Sequence, residues 1–292
     1  MSGGSDDRGA AFVRAGLLGL FLVSGTCGLV HEVAWTRLLR RVLGNGTDAI
    51  TIVLCVFMGG LAIGSFLFGR ALLRRRAPLL VFAGLEGVVG LYCLALPALV
   101  AAGSPLYGAW YQGSTSDVGF TVARLSFAAL VLAVPALLMG GTLPVLSRFV
   151  ASAGVGLGRT AGTLYATNTF GAVLGASLGA FLFVPAFGVT GAIRFAAGLN
   201  LLVAALAVVL HRRAAVVATG EPDRPAAAAT PAADAAGAGP SRARPVVLIG
   251  YGVSGAAALV YEIGWTRALS LLVGSSVYAF GLMLTAFVLG LA

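Results

Sequence analysis

Glu32, Glu86 and Glu262 are carboxylates set inside apolar stretches, where a charge is costly unless a partner or a bound cation compensates it. Glu32 and Glu262 each precede an arginine by five residues, Arg37 and Arg267. That spacing lies beyond ideal helical neighbours but within reach near a helix end. It leaves two chemistries open: an ion pair or carbonyl-bonded cap that locks the turn between two helices, or a proton or cation site. Trp35 and Trp265, close by in each case, suit interfacial anchors better than ligand-stacking platforms. Glu86 differs because Ala83-Gly84-Leu85-Glu86-Gly87 has no basic residue nearby, so its partner must come from another helix. Arg124 matches it best by depth. A protonated Glu86 bonded to a backbone carbonyl is the alternative, and a transport or proton-relay carboxylate is the functional reading.

Metal and redox chemistry are disfavoured. His31-Glu32-Val33-Ala34-Trp35 approaches the zinc-protease pattern, but tryptophan stands where the second histidine ligand must be. Cys27, Cys55 and Cys93 are widely spaced in apolar segments, form no CxxC pair and read as free thiols.

The glutamate–arginine pairs belong to a longer pattern, S-G-x-x-x-L-V-x-E-x-x-W-T-R, which starts at Ser24 and again at Ser254. Sixteen of the thirty-nine positions from Ser24 to Ala62 are identical in the second copy, including Gly44 with Gly274 and Phe57 with Phe287. A duplicated membrane unit is expected, its second copy truncated at Ala292, the partner of Ala62. Tyr261 replaces His31, so a histidine ligand is not part of the repeated design.

The elements that must hold these residues are membrane helices. The chain is 59% hydrophobic and 10% charged, with a mean hydropathy of +0.99, which excludes an ordinary soluble domain of 292 residues. About eight apolar runs are expected to span, near Phe12 to Val30, Ala49 to Gly69, Pro78 to Ala101, Val118 to Met139, Thr160 to Phe183, Thr190 to Leu210, Val246 to Val260 with its continuation, and Val277 to Ala292. They lack the alternation of barrel strands. The expected fold is therefore an all-α polytopic transmembrane bundle. It divides into a polar N-terminal tail over 1–11, a six-helix unit over 12–212, a flexible Ala/Pro-rich linker over 213–245, and the first two helices of a second repeat over 246–292. The net charge of +9 comes from 19 arginines and no lysine, grouped near segment ends, which suits lipid headgroups and not nucleic acid. Arg70 and Arg74 to Arg76, then Arg148 and Arg159, then Arg212 and Arg213 follow the second, fourth and sixth spans and place the N-terminus in the cytoplasm. Arg37, Arg40 and Arg41 lie on the opposite side, and the recurrence of Arg267 assigns that segment a specific role. The abundance of Ala, Gly, Val and Arg suggests a GC-rich bacterial genome, hence the inner membrane.

Glycines mark the packing faces. Gly171, Gly175 and Gly179 recur one helical turn apart with Asn168 just before them, and Gly60 and Gly64 repeat the spacing in the second span.

The repeated L-V-[HY]-E-[VI]-x-W-T-R, Met139 to Pro144 (M-G-G-T-L-P), and Leu164 to Ala176 (L-Y-A-T-N-T-F-G-A-V-L-G-A) with Pro185 and Gly188 resemble the membrane region of the fused major-facilitator/spermidine-synthase group. The resemblance implies multi-helix membrane halves followed by a Rossmann-type domain. In the enzymes that domain resembles, an aminopropyl group passes from decarboxylated S-adenosylmethionine to putrescine. No glycine-rich adenosyl-binding loop occurs in this sequence, so no catalytic residue transfers to it, and no cofactor is expected in this chain. The expected function is the membrane module of a polyamine aminopropyltransferase-like protein. The alternative is a major-facilitator-like transporter of polyamines or other small cations, with Glu32, Glu86 and Glu262 as counter-charges.

Overall fold

A computed structural model describes residues 3–44, 46–71, 77–151, 157–219, 243–274 and 277–291, and among these no strand occurs. The elements are α1 (Gly3–Leu43), α2 (Thr47–Ala71), α3 (Pro78–Gly113), α4 (Asp117–Ala151), α5 (Leu157–Leu178), a π-helical turn (Gly179–Phe183), α6 (Val184–Thr219), α7 (Ala243–Val273) and α8 (Val277–Leu291).

Among the described residues six helical stretches are long and apolar enough to cross a membrane: Ala11–Leu43, Asp48–Ala71, Pro78–Gly113, Asp117–Phe149, Gly162–Arg213 and Pro245–Val273. The expected number was about eight. Two expected spans fall within the one 52-residue stretch Gly162–Arg213, and the last coincides with the shorter apolar helix Tyr278–Leu291. At roughly 1.5 Å per residue a straight helix of that length would extend about 78 Å, over twice the hydrocarbon thickness. Gly188 interrupts it with φ 70° and ψ 174°, a conformation that glycine adopts without a Cβ clash.

α1 begins at Gly3, inside the stretch expected as a polar tail, and runs without interruption to Leu43. No proline occurs between Glu32 and Leu43, so Trp35, Thr36 and Arg37 are helical and the turn comes only at Gly44, with φ 101°. Arg40 and Arg41 occupy the last turn, where cations complement the carbonyl end of the helix. Of the expected linker, residues up to Thr219 continue α6, α7 starts at Ala243, and residues 220–242 lie outside the described residues. Arg74 to Arg76 and Ala292 also lie outside them.

α1 packs along α5 and α6, α3 along α6 and α4, and α2 along α4. Glycine sets two of these contacts. A Cβ added at Gly171 would strike the carbonyl of Leu22 on α1, and one at Gly175 that of Thr26. α1 reciprocates with Gly25, which faces the backbone carbonyl of Asn168. Gly179 is looser: a Cβ added there would come 3.3 Å from the Val30 Cα. Between α2 and α4, Gly64 meets the Leu137 carbonyl, Gly140 meets the Leu61 carbonyl, and Gly60 meets the Ala136 side chain. These are small-residue contacts of the kind that bring membrane helices together at backbone distance. The buried core surrounds Trp35, Phe57, Leu96, Leu132 and Ile193, with a second cluster around Phe21, Leu79, Phe82 and Leu146.

Candidate functional site

The polar side chains of α1 fall on two adjoining faces. Ser24 and His31 are seven residues apart, two turns of helix, and face α3 and α6; Glu32 and Thr36 are one turn apart on the neighbouring face. On the first face the Ser24 hydroxyl donates to Glu86 Oε1 at 2.5 Å, and Asn200 Nδ2 of α6 donates to Glu86 Oε2 at 2.7 Å. Asn200 Oδ1 lies 3.0 Å from His31 Nε2. Because the Asn200 amide nitrogen is donating to Glu86, its oxygen accepts, so His31 Nε2 carries the hydrogen. His31, Glu86 and Asn200 are buried, and the four residues form one polar chain across α1, α3 and α6. His31 Nδ1 has no protein partner.

Glu86 therefore does not pair with Arg124, contrary to the expectation from depth. Consecutive membrane helices run in opposite directions. Glu86 lies in the first third of α3 and Arg124 in the first third of α4, which places them toward opposite ends of that pair. Arg124 instead donates to the Tyr111 hydroxyl at 3.2 Å, stacks its guanidinium 5.5 Å from the Tyr111 ring, and faces Asp48 at 3.5 Å. It belongs to a cluster with Tyr111 and Asp48, near the starts of α2 and α4.

The other two carboxylates are arranged differently. Glu32 and Glu262 are fully buried, and among the described residues none hydrogen-bonds any of their four carboxylate oxygens. The expected bond between Glu32 and Arg37 is thus not formed. The helix continues past both residues, and a five-residue separation along it turns the two side chains well apart. Arg267 is exposed and does not cover Glu262. Thr36 Oγ1 is also buried without a partner, whereas Thr266 bonds the carbonyl of Glu262 at 2.8 Å.

The two tryptophans part company. Trp265 is 60% exposed, but Trp35 is fully buried and is no interfacial anchor. It stacks on His31 with ring centroids 5.1 Å apart and meets Phe57 edge-on at 5.9 Å. Helical continuity through Trp35 carries the ring into the bundle. Cys27 and Cys93 are buried and Cys55 is exposed; all three are free thiols. Among the described residues no group of three or more His, Cys, Asp or Glu could hold a metal ion.

Asn200 and Ser24 were not among the candidate site residues read from the sequence, and His31 was weighed there only as a metal ligand. Asn200 carried a usable signal, since an amide inside the apolar run from Leu199 to Leu210 needs a partner on another helix.

The chain is similar to proteins named polyamine aminopropyltransferase. It is 29% identical over 198 residues to the one from Mycobacterium tuberculosis, covering 63% of this chain and 34% of the relative. For Oceanobacillus iheyensis the identity is 26% over 187 residues, covering 64% and 34%. Polyamine aminopropyltransferase 1 of Streptomyces coelicolor is 38% identical over 84 residues, covering 29% and 15%. No family model matches, and no solved structure matches. The chain spans about a third of the length of the first two relatives, and these matches support a spermidine-synthase-like relationship.

Proposed function

We propose that this chain is the integral membrane module of a spermidine-synthase-like protein, and that the residues for aminopropyl transfer lie outside it. The observation that carries the reading is the match between a chain of long apolar helices and about a third of proteins named polyamine aminopropyltransferase. In this reading the limbs on either side of Gly188 cross separately and Tyr278–Leu291 crosses once more, giving eight passes. The first six form one unit and the last two begin a second copy. The glycines at equivalent positions of the two copies, Gly44 and Gly274, support the duplication, because both follow a helix and both have positive φ, 101° and 85°. In this reading the N-terminus is cytoplasmic and the module sits in a bacterial inner membrane, which is supported by Arg70, Arg148, Arg212 and Arg213 following even-numbered passes and by the bacterial organisms of the relatives.

A second reading, a carrier of polyamines or other small cations, is favoured by the buried and unpartnered Glu32 and Glu262. The two readings are tested together. The purified chain, supplied with putrescine and decarboxylated S-adenosylmethionine, is expected to form no aminopropylated product; product formation would overturn the module reading. Reconstituted into liposomes, saturable uptake of labelled putrescine would favour the carrier reading, and its absence the module alone.

A further inference from the structure

We propose that the groove between α1 and α6 binds one anionic phospholipid, an acyl chain lying along the groove and the headgroup phosphate held by Arg213 at its end. The proposal needs only that the chain lies in a membrane, and it stands apart from the polyamine reading.

The first argument is shape. α1 and α6 pack against each other, and a cavity of about 560 Å3 follows their seam. On α1 it is lined by Phe12, Gly16, Gly19, Leu20 and Val23, whose three- and four-residue spacing puts them on one face; on α6 the lining stripe runs from Leu199 through Val203, Leu206 and Leu210 to Arg213. At about 1.5 Å per residue these stretches extend about 17 and 21 Å, close to one leaflet of a hydrocarbon core about 30 Å thick. Leu20, Val203 and Leu210 form a buried floor, and Phe12, Leu202 and Leu206 are half-exposed along the rim. Two glycines shape the depression. A Cβ added at Gly16 would come 3.4 Å from the Leu210 side chain, so the helices touch there and the seam is closed; one added at Gly19 would meet nothing within 4 Å. The space over Gly19 is open to a chain of methylenes.

The second argument is charge. Every other residue lining the groove is apolar or glycine, and Arg213 continues the leucine stripe on the same face of α6. Arg213 is exposed, its guanidinium carbon lies 5.8 Å from the centroid of the Phe12 ring, and no carboxylate of the described residues pairs with it. The ring therefore holds a cation at the end of the groove. A guanidinium presents a planar fork of donors that matches two phosphate oxygens. A purely apolar ligand would leave the arginine unused, and a soluble anion would leave the groove unused. A phospholipid uses both, as basic pockets between membrane helices do when they take anionic headgroups. Arg14 and Arg212 are near in sequence but do not line the groove, which makes them controls.

The experiment is native mass spectrometry of the 292-residue chain, delipidated in detergent and titrated with phosphatidylglycerol or phosphatidylcholine of the same acyl composition. One phosphatidylglycerol per chain is expected to bind at least about tenfold more tightly than phosphatidylcholine. Arg213→Gln should bring the two lipids within about twofold of each other, whereas Arg14→Gln and Arg212→Gln should keep the preference. Gly19→Leu, whose side chain enters the open space, should weaken both lipids by about tenfold or more. As a check that does not depend on a variant, phosphatidylglycerol carrying a diazirine on its acyl chain is photo-crosslinked to the wild-type chain in lipid nanodiscs, and the adducts should fall within 12–23 and 199–213. Equal binding of the two lipids by the wild type, or a preference that survives Arg213→Gln, would overturn the headgroup contact. Adducts spread evenly over the other helices would overturn the groove as the place of binding. Displacement of the lipid by inorganic phosphate would assign Arg213 to a soluble anion, and dimers in place of lipid adducts would assign the groove to a second copy of the chain; either would overturn the proposal.

Discussion

Asn200 donates its amide hydrogen to Glu86 at 2.7 Å and at the same time presents its oxygen to His31 at 3.0 Å, so one amide satisfies two ionisable residues on two other helices. No apolar side chain can replace it without orphaning both neighbours. Asn200→Leu should therefore destabilise the chain by roughly 2–4 kcal/mol, because each buried group left unpaired costs about 1–3 kcal/mol. Ser24→Ala, which removes one of the two bonds to Glu86, should cost less. Thermal unfolding in detergent, followed by a thiol-reactive dye, checks the order; equal midpoints for Asn200→Leu and wild type would contradict it.

The dye works because of where the thiols lie. Cys55 is exposed, and Cys27 and Cys93 are buried. A membrane-permeant maleimide should label Cys55 in the folded protein, and the other two only on unfolding. Cys55→Ser should thus abolish labelling below the melting transition.

The glycines of the helix contacts divide into two classes. Gly175→Ala and Gly64→Ala would drive a methyl group into a carbonyl of the neighbouring helix, at a cost of about 1–3 kcal/mol. Gly28 and Gly84 have nothing within 4 Å of an added Cβ, and both are helical. Alanine there should be neutral or stabilising by up to about 1 kcal/mol. The melting temperatures of the four variants should separate into those two pairs.

The proposed topology makes its own prediction. On a Cys55→Ser background, Ser116→Cys should react from outside intact cells with a membrane-impermeant maleimide, and Arg212→Cys only after permeabilisation. Reaction of both positions from the same side would contradict an odd number of crossings between them.

Helix content, the apolar runs and the glycine spacings could be read from the sequence because each is a property of neighbours along one helix. The partners of the polar groups could not. Arg124 was matched to Glu86 by depth, yet depth does not give the rotation of a helix about its axis or the end at which a residue lies. Glu86 faces α1 and α6, while Arg124 joins Asp48 and Tyr111. Trp35 and Arg37 were taken for the edge of a turn because an apolar run gives out near them. The helix continues instead for the length set by Gly44, and so carries the tryptophan inward. Glu32 and Glu262 were visible as a matching pair in sequence; that both are buried with no hydrogen-bond partner among the described residues required the packed helices.

The closest approaches of α1 to α5 and of α2 to α4 fall at residues that have no rotamers. When two helices join through leucines, every side chain at the contact loses torsional freedom, about 0.5–1 kcal/mol for each. Gly25, Gly171 and Gly175, like Gly60, Gly64 and Gly140, have none to lose. At these points the two pairs give up no side-chain freedom when they join, and they act as fixed struts of the bundle.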